Sequence, residues 1–208
     1  MRNDLGILFD LDSTLIDSST SVRTAWIQLA GEAGFALQDL VGLHGIPAEG
    51  CLRILLPGQP ESEVQRWLAR IEHLEMTITD GIVPNPGAIE LLTALDEREI
   101  PWTIVTSGTS PLATERLRVA GIAKPETIVT FSDVTNGKPH PEPFLLGASR
   151  IGIAPESCWV IEDAHSGVTA GKAAGCTVAA ILTTHKRDEL PHADHHLEQL
   201  LELLSLIN

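Results

Sequence analysis

The sequence predicts an α/β protein: a three-layer core on a mostly parallel sheet, with an all-helical cap inserted after the first strand. Beyond residue 86, short continuous apolar runs alternate with segments of helical periodicity, the pattern of a parallel sheet covered on both faces. From about 17 to 80, apolar residues recur at helical spacing only, with no strand pattern. The two textures meet at a breaker-rich junction, Asp80-Gly81-Ile82-Val83-Pro84-Asn85-Pro86-Gly87. Residues 1–16 and 86–208 are accordingly assigned to a discontinuous core, and 17–85, hinges included, to the cap.

The first strand is the apolar run 7–9, which ends in Asp10 and Asp12. A helix is expected over 19–34, where Val22, Ala25, Trp26, Leu29, Ala30 and Ala33 fall at helical spacing. A shorter apolar piece, 37–43, leads into a His44-Gly45-Ile46-Pro47 turn. Pro47 opens a helix over 48–56 that Pro57-Gly58 stops. Another helix, 60–79, carries Val64, Trp67, Leu68, Ile71, Leu74 and Ile78. In the core, helices are expected at 88–98, 110–121, 141–151 and 165–175, and strands at 102–106, 128–131, 158–161 and 178–181. The chain closes with a His195-His196-Leu197 segment and an amphipathic helix to Leu206. An insertion directly after the first strand overhangs the carboxyl ends of the strands, where open α/β sheets bind ligands.

With 208 residues, 43% hydrophobic and 20% charged, the chain is long enough for one large domain or a core with a small second unit. A formal net charge of −14 argues against nucleic acid or an anionic membrane as a partner. It also means that any anion site must be built locally, from helix N-termini, a metal and a few placed basic residues. Lysines are scarce: only Lys124, Lys138, Lys172 and Lys186. Cys51, Cys158 and Cys176 are far apart and odd in number, and read as buried thiols of a reduced compartment. No apolar run approaches the roughly 18 residues of a membrane span, and the N-terminus lacks a signal core. A cytoplasmic protein, a monomer or weak homo-oligomer, is expected.

Four strand ends carry the chemistry. Asp10 and Asp12, at i and i+2, would share one face of a strand, and like charges so close call for a compensating cation or a proton. A nucleophilic aspartate beside an acid/base aspartate has that need; a solvated acidic turn is the alternative. After 102–106, the turn Thr106-Ser107-Gly108-Thr109 reads as an anion cradle or an ordinary helix cap. In Asn136-Gly137-Lys138-Pro139-His140-Pro141-Glu142-Pro143, three prolines stiffen a loop that presents one lysine. That suits a point charge aimed at a phosphate and a carboxylate; His140 reads as turn-stabilising. Last, Glu162-Asp163-Ala164-His165-Ser166-Gly167 offers two more acids, as caps or as oxygen ligands for Mg²⁺, which does not seek the imidazole of His165.

Together, DLDSTLIDS, VTSGT, GKPHPEPF and IEDAHSGVTAGKAAG resemble the haloacid dehalogenase-like phosphohydrolase superfamily along essentially the whole chain. Within it, His44-Gly45, Leu52-Arg53, 71–75 and 101–108 look most like the 2-deoxyglucose-6-phosphate and glycerol-3-phosphate phosphatases. The resemblance implies a Rossmann-like core and a Mg²⁺-dependent hydrolysis of small phosphorylated metabolites, most of all sugar phosphates. It makes Asp10 the nucleophile and Asp12 the acid and base. The metal would be held by Asp10, the Asp12 carbonyl and Asp163, with Glu162 directly or through water. Lys138 would neutralise the crowded oxygens, and Ser107 or Thr106 would bind the phosphoryl group with the Gly108 N–H.

Two residues depart from the family pattern. Ser13 stands where glycine is usual, and a positive φ there would cost serine on the order of 1 kcal/mol. Val22 stands where the related β-phosphoglucomutases carry a histidine, which weakens that alternative; a non-catalytic phosphate-binding protein is a further one. For the leaving group, His44, Glu49 and Arg53 cluster near one helix start, with Arg53 the best candidate. His73 and Glu75 read as structural or solvated, and His192, His195 and His196 as surface residues without a metal.

Overall fold

A computed structural model describes residues 4–40 and 47–207. Six strands form one sheet: β1 (Gly6–Phe9), β4 (Trp102–Val105), β5 (Ile128–Val129), β6 (Cys158–Glu162), β7 (Thr177–Ile181) and β8 (His195–Leu197). Their order is β5-β4-β1-β6-β7-β8, and every pairing is parallel. The chain thus builds outward from β1 on one side and then, through β6, on the other. Ligands of open α/β sheets bind at such a reversal, outside the carboxyl ends of the strands.

Alternation along β1 separates the two faces. Ile7 and Phe9 enter an apolar cluster with Leu91 and Leu95 of α4 (Ala88–Glu97) and Leu117 of α5 (Ser110–Ala120). Leu8 enters the opposite cluster with Phe144 of α6 (Glu142–Ile151) and Val168 of α7 (His165–Ala173). Gly121 ends α5 in the left-handed conformation, φ +69°, and its N–H donates back to the Arg118 carbonyl.

Between β1 and α4 run α1 (Ser19–Ala33), α2 (Ala48–Leu55) and α3 (Glu61–Thr77), which share a third cluster containing Ala25, Trp26, Leu29, Leu52, Val64 and Ile71. All three cysteines are buried thiols, and burial pushes the pKa of Cys51 and Cys158 up to about 11 and that of Cys176 to about 12. No helix among the described residues is long and apolar enough to cross a membrane.

Three elements differ from the sequence expectation. The helical stretch is flanked by an antiparallel ribbon of β2 (Ile16–Asp17) and β3 (Val83–Pro84), too short for any periodicity to reveal. β5 stops at Val129 because Thr130 caps a 3₁₀ turn at Phe131–Asp133, exchanging hydrogen bonds with Asp133. The expected last helix is a 3₁₀ turn at Leu200–Glu202 running into the single turn of α8 (Leu203–Leu206).

Ser13 has φ +64°, the left-handed region expected to penalise it. It is held there by its N–H, which donates to Ile16 O at 2.7 Å, and by its carbonyl, which accepts the Thr183 hydroxyl at 2.6 Å. Ser13→Gly relieves about 1–2 kcal/mol of strain at an entropic cost of about 0.5–1 kcal/mol, so urea unfolding should show a net gain of up to about 1 kcal/mol. Unchanged or lower stability would mean that no strain is stored at this position.

Candidate active site

The carboxyl ends of β1, β4 and β6 lie side by side, so each brings its polar cluster to the same place. The Asp10 N–H extends the sheet by donating to Ile161 O at 2.9 Å, which fixes the residue at the rim. The loop before α6 carries Lys138 inward; its Nζ donates to Asp10 Oδ1 at 2.6 Å and to Glu162 Oε1 at 2.7 Å. All three side chains are buried. Burial pushes Asp10 well above the usual carboxylate range; Lys138 opposes the rise, while Glu162 and Asp163 add to it. Glu162 is raised for the same leading reason, burial. Lys138, which burial alone would depress, is instead held above its ordinary value by Asp10 and Glu162.

The turn after β6 sets the second pair of acids. Glu162 Oε2 accepts the N–H groups of Asp163 and Ala164, both at 2.9 Å, so this side chain clasps its own turn as well as Lys138. Room for it exists only because residue 167 is glycine: a Cβ there would stand 1.7 Å from Glu162 Oε1. Asp163 accepts the Thr184 hydroxyl at 2.6 Å. Oxygens of Asp10, Glu162 and Asp163 lie within 4.8 Å of one another. Three buried acids facing one lysine leave negative charge uncompensated, and the donors are all hard oxygens, so the set fits an oxygen-seeking divalent cation.

On the β4 side, Thr106, Ser107 and Gly108 all line the same cleft. Thr106 is buried, and its Oγ1 accepts the Gly108 N–H at 3.0 Å. Asp12 does not face Lys138. Its Oδ1 accepts the Ser18 hydroxyl at 2.6 Å, and its Oδ2 accepts Arg116 Nη1 at 2.7 Å. Arg116, on α5, also donates from Nη2 to Glu75 Oε2 at 3.1 Å, and Glu75 Oε1 accepts Trp26 Nε1 at 3.1 Å. Sequence reading passed over Arg116 and Ser18 and took Glu75 as structural or solvated, whereas Glu75 is largely buried and lines the cleft. Helical phase held the signal: Arg116 lies four residues from both Leu112 and Ala120 on the buried face of α5.

The cleft has a volume of about 480 Å³, the size of a small-molecule site. Its far wall, from the helical stretch, mixes apolar Val22, Trp26, Leu68 and Ile71 with charged Arg23, Glu72 and Glu75. Glu49 lines it too, but Arg53 does not: it is half exposed and tied to Glu49 at 2.6 Å and Glu61 at 3.0 Å. The expectation for Arg53 fails because it falls on the side of α2 opposite the buried Cys51, Leu52 and Leu55. Arg23 is the cation that α1 presents to the cleft. His44 lies outside the described residues. His73 and His140 are exposed. His195 stacks on Trp159 at the sheet edge, with ring centroids 5.0 Å apart, away from the cleft.

Residues 7–181 match the model of the haloacid dehalogenase-like hydrolase family. The chain belongs to that family. Among its haloacid dehalogenase-like relatives, hexitol phosphatase A of Escherichia coli is 44% identical over 94% of this chain and 92% of its own. Glycerol-1-phosphate phosphohydrolase 1 of Saccharomyces cerevisiae is 30% identical over 88% of this chain and 76% of its own. Among solved structures, a hydrolase from Pseudomonas syringae superposes with a TM-score of 0.87 at 29% identity, covering 97% of this chain and 96% of that one.

Since the Glu162 carboxylate occupies the space a Cβ at residue 167 would need, Gly167→Ala should displace it and loosen Lys138. Hydrolytic activity should then fall by at least about tenfold, and the thermal unfolding midpoint should drop as well, because a buried carboxylate and ammonium lose their pairing. Full activity in the variant would show that the Glu162 position is unimportant.

Proposed function

We propose that this chain is a Mg²⁺-dependent phosphatase that hydrolyses phosphate monoesters of small polyols and sugars through an aspartyl-phosphate intermediate. The observation that carries the reading is the buried contact of Lys138 with Asp10 and Glu162 at the floor of a metabolite-sized cleft. The relatives' substrates, a hexitol phosphate and glycerol 1-phosphate by name, supply the polyol class. Residues 17–85 serve as a cap over the site, and 1–16 with 86–208 as its catalytic core. Three buried cysteine thiols suit the reducing cytoplasm.

Lys138 engages Asp10 Oδ1, and among the described residues nothing hydrogen-bonds Oδ2, which is the oxygen free to attack phosphorus. The bond from phosphorus to the leaving oxygen breaks as the Asp10–phosphorus bond forms, and Asp12 gives the departing alkoxide a proton. Asp12, now ionised, takes a proton from the water that attacks the aspartyl phosphate; inorganic phosphate leaves and both acids are restored. Thr106 or Ser107 and main-chain N–H groups of the turn after β4 hold the phosphoryl oxygens. Asp10, Asp163 and the Asp12 carbonyl would hold Mg²⁺. Glu162, whose oxygens are taken by Lys138 and by two N–H groups, would reach it through water. When bound, the cation neutralises charge on the transferring group and keeps the buried Asp10 ionised.

Phosphate release from a panel of polyol and sugar monophosphates, with Mg²⁺ present, tests the reading. Turnover of at least some members is expected; failure on all of them, or isomerisation without free phosphate, would overturn it. Asp10→Asn should lose at least about 10³-fold in kcat without loss of fold, since it removes the attacking group. Mg²⁺ alone should raise the thermal unfolding midpoint of the wild-type chain by binding the folded state. Asp163→Asn should abolish that rise, and an undiminished rise would remove Asp163 from the ligand set.

A further inference from the structure

Arg116 is the one arginine of α5 that points inward, 5% exposed, whereas Arg118 pairs with Glu115 at the surface. Its guanidinium does not fork onto a single carboxylate. It straddles two, Asp12 at 2.7 Å and Glu75 at 3.1 Å, and in doing so leaves its buried Nε without a hydrogen-bond partner among the described residues. A pair built only for stability would use the bidentate arrangement and satisfy Nε. The straddling orientation instead joins two distant parts of the chain: Asp12 at the end of β1, and Glu75 in the last turns of α3. Glu75 is itself fixed from the other side by Trp26 of α1.

With Ser18 on Oδ1 and Arg116 on Oδ2, both oxygens of Asp12 are held, so the plane of its carboxyl group is set. Ser18 immediately precedes α1, and Glu75 belongs to α3, so both restraints on Asp12 run to the helical stretch. If α3 withdrew, Glu75 would leave and a buried guanidinium would lose half of its compensation. The arrangement that places Asp12 is therefore the one in which the helices cover the cleft.

We propose that Arg116 is a positioning residue for the reaction: it holds Asp12 where it protonates the leaving oxygen, and Glu75 completes that hold when the helices sit over the cleft. This rests on the phosphatase reading and names a residue that the reading does not require. The acid is needed for an alkoxide leaving group but hardly for p-nitrophenolate, which departs as a stable anion.

The test compares kcat/KM, which reports the first phosphoryl transfer, for an alkyl polyol phosphate and for p-nitrophenyl phosphate. In Arg116→Met, kcat/KM should fall about 10²-fold for the alkyl ester and only a few-fold for the aryl ester. Arg116→Lys should recover part of the alkyl loss, and Glu75→Gln should show the same alkyl-selective loss at about tenfold. Equal losses on both esters, or none, would overturn the inference while leaving the phosphatase reading intact. If Arg116→Met fails to give a cooperative thermal transition, Arg116→Lys and Glu75→Gln decide by the same comparison. A wild-type protein that hydrolyses neither ester would defeat both readings.

Discussion

A buried ammonium between two buried carboxylates is the contact on which the site depends. Moving charges out of water is costly unless they are paired, and Lys138 offsets only part of what Asp10, Glu162 and Asp163 bring to the rim of the sheet. The neighbouring choices serve this one cluster. Prolines fix the loop that delivers the lysine, residue 167 has no side chain so that Glu162 can clasp its turn, and the parallel register of β1 with β6 sets Asp10 beside it. In a chain with a net charge of −14 the acids at this rim outnumber the lysine, so an anionic group can be held there only beside a bound cation.

The cleft is floored by the sheet and walled by the helices. The floor carries the buried, multiply bonded Lys138, Asp10 and Glu162, whereas the wall sets apolar Val22, Trp26, Leu68 and Ile71 among charged Arg23, Glu49 and Glu72. A wall that offers hydrogen-bonding groups as well as shape discriminates among hydroxylated molecules more sharply than an apolar one would. Asp12 belongs to neither zone alone. It sits on the sheet, yet its partners Ser18 and, through Arg116, Glu75 tie it to the helices.

The strand-end chemistry was legible because parallel sheets place their polar residues where apolar runs stop, and glycine and proline mark those stops in the chain. Asp10, Lys138, Thr106, Ser107, Glu162 and Asp163 were nominated that way and line one cleft in the structure, and the alternation of helix and strand was read from the same punctuation. Arg116 and Glu75 carry no such mark. Each sits inside a helix among other charges, and only the side of the helix it occupies tells a buried ion pair from a solvated one. Arg53 was misjudged for the same reason in reverse: nearness to a turn suggested the cleft, whereas one residue past Leu52 is a rotation of about 100° away from it. The ribbon of β2 and β3 is set by tertiary pairing of two-residue segments and has no local signature.

That ribbon has a consequence for how such a protein changes over time. Because β2 and β3 lie side by side, the chain leaves the sheet and returns to it at points about 5 Å apart. Whatever lies between must bring its own ends together and keep Ser18 and Glu75 in reach of Asp12 and Arg116, but elsewhere its length and sequence can drift without shifting β1 by a single residue. Asp10 and its lysine are thereby insulated from selection on the leaving group. New substrates can be acquired by rewriting the middle of the chain while the phosphate-handling part is inherited unaltered.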